Sequence, residues 1–494
     1  MSVTYMMGER ARLAPSPKAF KFFCAAADGG RMENHMATYL AIDIGASSGR
    51  HILGRIRDGK IEEQEIYRFT NGAHEQDGHL VWDVEHLFDE IVAGLKKAGE
   101  LGQAPDYIGI DTWGVDYALL DGNDVRIGEI FCYRDGRTAP AIEELHRIMP
   151  FPELFARTGI QFQTFNTLYQ LCADRASGKL AEAKSFLLLP CYLSFLLTGV
   201  KVQEYTNATT TGMINAETHT WDQDILAAAG LPAHLFGELT QPGSTVGPLT
   251  DEIAARVGYR ATVLLPATHD TASAVLAAPL AAPAPYISSG TWSLLGIEQE
   301  KAHTDAQSLA VNYSNEGSLN FTFRYQQNIM GLWMLQSIRR ELSAGRQEPI
   351  SFGEIADMAR SVTGEGIVDV NHPDFLAPKS MIGTVRAHAP WAVTDAQVIR
   401  CVYDSLAACY AASIEALETT VGKKYDTLHI IGGGSRDALL NELTAKTTGK
   451  RILTGPTEAT ALGNLLMQMI AAGELADLAA ARALIRNSVE LGEF

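Results

Sequence analysis

The sequence predicts an α/β protein built as two lobes of similar plan with a ligand cleft between them. Three observations lead there. One polar turn is used twice, a domain apart, as Tyr39-Leu-Ala-Ile-Asp-Ile-Gly-Ala-Ser-Ser-Gly-Arg50 and Tyr286-Ile-Ser-Ser-Gly-Thr-Trp-Ser-Leu-Leu-Gly-Ile297. Strand-like runs and helical patterns alternate on both sides of the chain's middle. Between the halves, Ala277-Ala-Pro-Leu-Ala-Ala-Pro-Ala-Pro285 carries three prolines in nine residues, a natural boundary.

In the first half the strand-like runs are 39–44, 51–56, 107–111 and 263–266, and helical periods cover 84–97, 139–148 and 185–197. Residues 186–200 are the most apolar stretch. Pro190 interrupts them and they fall short of the ~20 residues of a membrane helix, so they read as a buried helix. In the second half, strand 286–288 enters the second turn, followed by helices 329–342 and 395–420. Strand 428–431, helix 436–447, strand 451–454 and helix 458–472 close the chain. The first 35 residues mix Pro, Gly and scattered charge without a lasting period. They are expected to be a disordered extension, with Met36 as an alternative start.

Composition narrows the function. At 494 residues the chain should hold at least two domains. A net charge of −18, from 58 acids against 40 bases, argues against nucleic acid as a partner. Any substrate phosphate must then be held by backbone amides, metal and a few local cations. Mean hydropathy of −0.01 and the absence of a membrane span point to a soluble, cytoplasmic protein. The six cysteines show no metal-ligand spacing and read as reduced thiols.

The two turns expose backbone N–H groups unhindered by side chains, which suits phosphate and hence a nucleotide between the lobes. No helix opens after the first turn and no Gly-Lys-Ser/Thr follows it. A dinucleotide fold and a Walker loop are therefore both excluded. Asp43, at the strand end beside the turn, is placed to hold Mg²⁺ through water rather than phosphate. In Thr268-His-Asp-Thr271, Asp270 is either a helix cap or a general base that accepts a substrate hydroxyl proton. In Gly109-Ile-Asp-Thr-Trp-Gly-Val-Asp116, Trp113 and Asp116 suit a sugar, with Gly114 allowing close approach; a core Trp beside an Asx turn is the alternative. Gly432-Gly433-Gly434 offers flat backbone to an adenine or its ribose, or is simply a tight strand–helix turn.

These strings, in this order, resemble the FGGY carbohydrate kinases, which have the actin/hexokinase-like (ribonuclease-H-like) fold. Gly159-Ile-Gln-Phe162, Phe165-Asn-Thr-Leu-Tyr-Gln-Leu171, Glu204-Tyr-Thr-Asn-Ala-Thr-Thr-Thr211 and Asn328-Ile-Met-Gly-Leu-Trp333 resemble one branch of that family, the rhamnulokinases. The resemblance runs from about residue 38 to the C-terminal end. It implies an N-terminal lobe over 36–278 that carries sugar, phosphate and base, and a nucleotide-binding lobe over 284–494. The implied reaction is ATP-dependent phosphorylation of L-rhamnulose at its C1 hydroxyl. Ala46, Ser47, Ser48, Gly49, Arg50, Thr291, Gln336 and Gly433 match the family's ATP positions. Gly114, His269, Asp270, Thr271 and Asn328 match its sugar positions, Asp270 its proton acceptor and Asp43 the residue facing Mg²⁺. The alternatives are a kinase for another ketose such as L-fuculose, or a non-enzymatic actin-like ATPase module. The expected partners are a small ketose and ATP, with no membrane; the chain is expected to be a monomer or a homodimer.

Overall fold

Each copy of the repeated turn closes an antiparallel hairpin at the centre of its own sheet in the computed structural model, which describes residues 36–494. Strand Tyr39–Ile44 pairs antiparallel with Ser48–Arg57 and parallel with Tyr107–Thr112. Strand Tyr286–Ser289 pairs antiparallel with Trp292–Gln299 and parallel with Thr427–Ile431. Both sheets grow outward alike. The first runs Thr245–Pro248, Thr262–Leu264, Tyr107–Thr112, Tyr39–Ile44, Ser48–Arg57 and Lys60–Thr70. The second runs Ser314–Gly317, Phe323–Met330, Trp292–Gln299, Tyr286–Ser289, Thr427–Ile431, Arg451–Thr454 and Gly492–Glu493. The expectation for the N-terminal extension falls on residues outside those described.

The central strands are buried on both faces, which is why 39–42 reads as an unbroken apolar run up to Asp43. Leu40, Ile42 and Ile44 share a core with Leu87, Ile91 and Leu95 of helix Val84–Glu100. Asp83 caps that helix by accepting from the amide of His86. Tyr39 and Ala41, one residue out of phase, pack instead with Leu462, Leu465 and Met469 of helix Ala459–Ala471. This helix comes from the far end of the chain. Its Gly463 meets helix Asp270–Leu276 so closely that a Cβ would lie 1.7 Å from the Ser273 carbonyl oxygen. The C-terminal region thus braces the first sheet at the strand ends that carry Asp43 and Asp111, beside the helix start that carries Asp270.

Two elements differ from expectation. Residues 185–197 are not one helix: Ser185–Leu188 is a strand paired with Tyr117–Leu120, and helix Leu189–Thr198 starts beside Pro190. Proline lacks an amide proton and clashes inside a helix, so it is tolerated only in the first turn, where it sits here. Residues 329–342 likewise divide: Phe323–Met330 is a strand and helix Trp333–Ser343 follows it. The described cysteines, Cys132, Cys172, Cys191, Cys401 and Cys409, are unbridged. Among the described residues no helix is long and apolar enough to cross a membrane.

Candidate active site

The two hairpin turns, the start of helix Asp270–Leu276 and the glycine turn after Thr427–Ile431 all open into one cleft. Of the residues expected to bind ligand, Asp43, Ala46, Ser48, Arg50, Gly114, His269, Asp270, Thr271, Thr291, Asn328 and Gly433 line it. Ser47, Gly49 and Gln336 do not. Ser47 is exposed on the turn. Gly49 is buried, and a Cβ there would fall 2.1 Å from the Phe69 ring, so its lack of a side chain serves packing. Gln336 lies on helix Trp333–Ser343, its amide donating to the Leu332 carbonyl.

Each turn is closed by a glycine amide: Gly45 N–H donates to Ser48 O, three residues on, and Gly290 N–H to Trp292 O, two residues on. Asn71 anchors the first turn by donating to Gly45 O from its side chain and to Ser47 O from its backbone. In the glycine turn, Gly432 has φ +82°, a left-handed conformation that favours glycine. A Cβ on Gly434 would strike Ser289, whereas Gly433 has open space beside it, facing the cleft. The three glycines thus divide into one for the turn, one for packing on the second hairpin and one for access.

Asp270 is the first residue of its helix; the capping position belongs to His269. Its carboxylate accepts from the amide and hydroxyl of Thr271, at 2.5 and 3.1 Å. The surrounding walls push the carboxyl above its usual range, and Asp43 adds to this while His269 opposes it. Even so, 31% of the side chain remains exposed, toward the cleft. His269 Nε2 lies 3.5 Å from Asp270 Oδ1, and its Nδ1 lies 3.2 Å from Glu316 Oε2. Arg324, fully buried, meets the same Glu316 oxygen at 3.2 Å. Burial alone would raise the Glu316 carboxyl; Arg324 and His269 instead hold it at about 2. A chain of charged groups from the second sheet therefore ends on the imidazole beside Asp270.

Asp43 is paired with Arg50, whose Nε and Nη2 both reach its Oδ2, at 2.9 and 2.7 Å; Arg50 also bonds Glu458. Asp111 faces Asp43 across the parallel strands. Burial, and then Asp43, push the Asp111 carboxyl well above its usual range; Asn464 donates to one oxygen at 2.5 Å while the other, Oδ1, has no partner. Asp43 raises the carboxyls of Asp111 and Asp270, Asp270 adds to that of Asp111, and Arg50 is paired to Asp43. That excess of acid, with an unpartnered buried oxygen, fits a divalent cation.

Asp116 corrects the sequence reading. It does not face a ligand: it is buried and accepts from Trp82 Nε1, Trp113 Nε1, the Tyr133 amide and Gln170 Nε2. Its work is to fix Trp113, whose ring does line the cleft. Tyr133, Phe165 and Trp292 extend that aromatic wall, in edge contacts at 5.5 and 6.2 Å. Asn328 enters from the second sheet; its amide donates to Gln161 Oε1, and its buried Oδ1 has no partner. A buried polar atom left unpaired at a cleft is a place for a ligand hydroxyl.

Known proteins resemble the chain in sequence and in fold. The model of the FGGY family of carbohydrate kinases matches its N-terminal domain to residues 38–277 and its C-terminal domain to residues 285–472. The chain is 42% identical to a rhamnulokinase of Oceanobacillus iheyensis, across 92% of this chain and 97% of that one. It is 43% identical to a rhamnulokinase of Enterococcus faecalis, across 91% and 92%. Among solved structures, gluconate kinase from Lactobacillus acidophilus superposes with a TM-score of 0.74 at 16% identity, covering 91% of this chain and 92% of that one. Glycerol kinase from Plasmodium falciparum, solved with ADP, gives 0.69 at 13%, covering 92% and 94%. At such identities the structures speak for the fold alone.

Proposed function

The chain belongs to the FGGY family of carbohydrate kinases, and on that premise we propose that it transfers the γ-phosphoryl group of ATP to the C1 hydroxyl of L-rhamnulose. The products are L-rhamnulose 1-phosphate and ADP, a step in L-rhamnose catabolism. The observation that carries the chemistry is Asp270, a carboxylate with raised proton affinity facing a cleft that both sheets line. The likeness to rhamnulokinases over about nine-tenths of the chain supports the choice of sugar.

Phosphoryl transfer asks for alignment and charge neutralisation more than covalent chemistry. The two hairpin turns and Gly433 hold the nucleotide, and Arg50 supplies a local positive charge. Asp43, with Asp111 behind it, would hold Mg²⁺, which when bound neutralises phosphate charge. Asp270 accepts the proton of the C1 hydroxyl as that oxygen attacks, and His269, held by Glu316, orients beside it. Trp113 covers the sugar's C–H edge while Gly114, Thr271 and Asn328 meet its hydroxyls. Residues 36–278 carry the base, the first phosphate turn and most of the sugar contacts, and residues 284–494 most of the nucleotide's, with Asn328 reaching the sugar from the second sheet and helix Ala459–Ala471 reaching back to the first. The acidic composition and unbridged cysteines support a cytoplasmic setting.

A panel of ketoses with ATP and Mg²⁺, followed by ADP release, tests this. A site that bonds each hydroxyl penalises an epimer by ~1–3 kcal/mol for each group left unpaired. An empty methyl pocket adds about 1 kcal/mol. L-rhamnulose should therefore exceed L-fuculose and D-xylulose by tens- to hundreds-fold in kcat/KM. Comparable values for either competitor would overturn the substrate while leaving the kinase. ATPase activity indifferent to every sugar would indicate an actin-like module.

A further inference from the structure

We propose that His372, Asp374 and His388 form a binding site for a transition-metal ion of the zinc class, apart from the active-site cleft. One ligand atom from each residue lies within 4.8 Å of the others. Asp374 Oδ2 is 2.9 Å from His388 Nε2 and 3.5 Å from His372 Nδ1. A tetrahedral ion with bonds of about 2.0–2.1 Å sets its ligand atoms about 3.3 Å apart, so both separations are already near those of a loaded site. The imidazole rings are 4.6 Å apart and tilted by 60°, so they converge rather than stack. His372 Nδ1 now accepts from the Asp374 amide at 3.3 Å, and a metal would take the place of that long contact.

The donor set decides the class of ion. Two imidazoles and one carboxylate favour zinc, copper or nickel over magnesium, which prefers oxygen alone. Three protein ligands at an exposed position leave the fourth to water. The scaffold is firm. Phe375 of the short turn Pro373–Phe375, next to Asp374, is fully buried, and His388 is the last residue of helix Met381–His388. An ion here would therefore cross-link a turn to a helix end. That turn also makes contacts elsewhere: Phe375 O accepts from Trp333 Nε1 at 3.3 Å, and Leu376 O from Arg134 Nη1 at 2.7 Å.

The test uses the untagged full chain, stripped with chelator and titrated with zinc chloride by calorimetry. Cobalt(II) chloride serves as a second probe, read by its visible absorption. The expected result is one tight equivalent of zinc and cobalt bands of a low-coordinate nitrogen–oxygen site. Zinc at a hundredfold excess over Kd should raise the melting midpoint by about 2–3 °C. His388→Ala and the milder Asp374→Asn should each abolish that equivalent and the midpoint shift, with magnesium-dependent turnover unchanged in the absence of zinc. Zinc binding with equal stoichiometry and affinity in parent and both variants would place the ion elsewhere and overturn the site. So would a parent chain that takes up no zinc at micromolar concentration.

Discussion

Asp270 combines two properties that a helix cap alone would not need: a carboxyl pushed up by burial and a face left open to the cleft. Asp270→Asn keeps an oxygen for the Thr271 amide but cannot accept a proton. Turnover should fall by ~10²–10⁴, the usual range for loss of a general base, with little change in melting midpoint. Because the base acts only when ionised and its proton affinity is raised, activity should be lost as pH falls through a value above the usual ~3.9 of aspartate. Near-normal turnover in Asp270→Asn with a clearly lowered midpoint would make the residue a structural one. At this scale the sequence was partly legible. Asp270 and His269 stand in one short string, whereas Glu316 and Arg324 reach His269 from strands of the other sheet and carry no local signal. Asp116 could be weighed for a sugar only because nothing in its string showed that Trp82, far back in the chain, also needed an acceptor for its indole N–H.

The elements that were legible are those whose turns carry their own chemistry. The Gly/Ser hairpins could be placed because glycine and serine interrupt otherwise continuous apolar runs. Strand Ser185–Leu188 could not, because it passes into helix Leu189–Thr198 with no polar residue between them; Pro190 was the one available mark. The hairpin strand Ser48–Arg57 also places His51 in a fully buried position, its Nε2 3.2 Å from Ile91 O. Burial lowers this imidazole from 6.5 to about 4. The unfolded chain therefore binds a proton between those values that the folded chain does not. This group's contribution to stability is full above pH 6.5 and is lost as pH falls toward 4, by up to about 3 kcal/mol. His51→Gln can retain the bond to Ile91 without titrating. Urea unfolding of parent and variant at pH 7.5, 6 and 4.5 should show the variant weaker at 7.5 but losing less on acidification. Parallel losses in the two proteins would remove His51 from the pH response.

For the whole molecule, what matters is how the two halves are held around the cleft. Arg134, from the first half, donates to Leu376 O of the second, and its guanidinium lies 4.6 Å from the Trp333 ring and 5.8 Å from the Trp292 ring. Trp292 and the neighbouring Tyr133 both line the cleft. A charged hydrogen bond and cation–π contacts of this kind are together worth about 1–3 kcal/mol at a partly exposed position. Since they join the halves rather than fill either core, their loss should act on how the halves sit around the cleft more than on folding. Arg134→Ala is thus expected to lower kcat/KM for the sugar by about 5- to 100-fold. It should also raise the share of ATP lost to water, because a looser cleft admits the competing nucleophile. Arg134→Lys should recover only part of this, because an ammonium lacks the planar fork that meets a carbonyl and stacks on indole together. The measurement is sugar phosphorylation against sugar-independent ATP hydrolysis, with the melting midpoint alongside. A parent-like ratio and kcat/KM in Arg134→Ala would show that the contact is incidental. A large midpoint drop with unchanged kcat/KM would assign it to folding rather than to the joining of the halves.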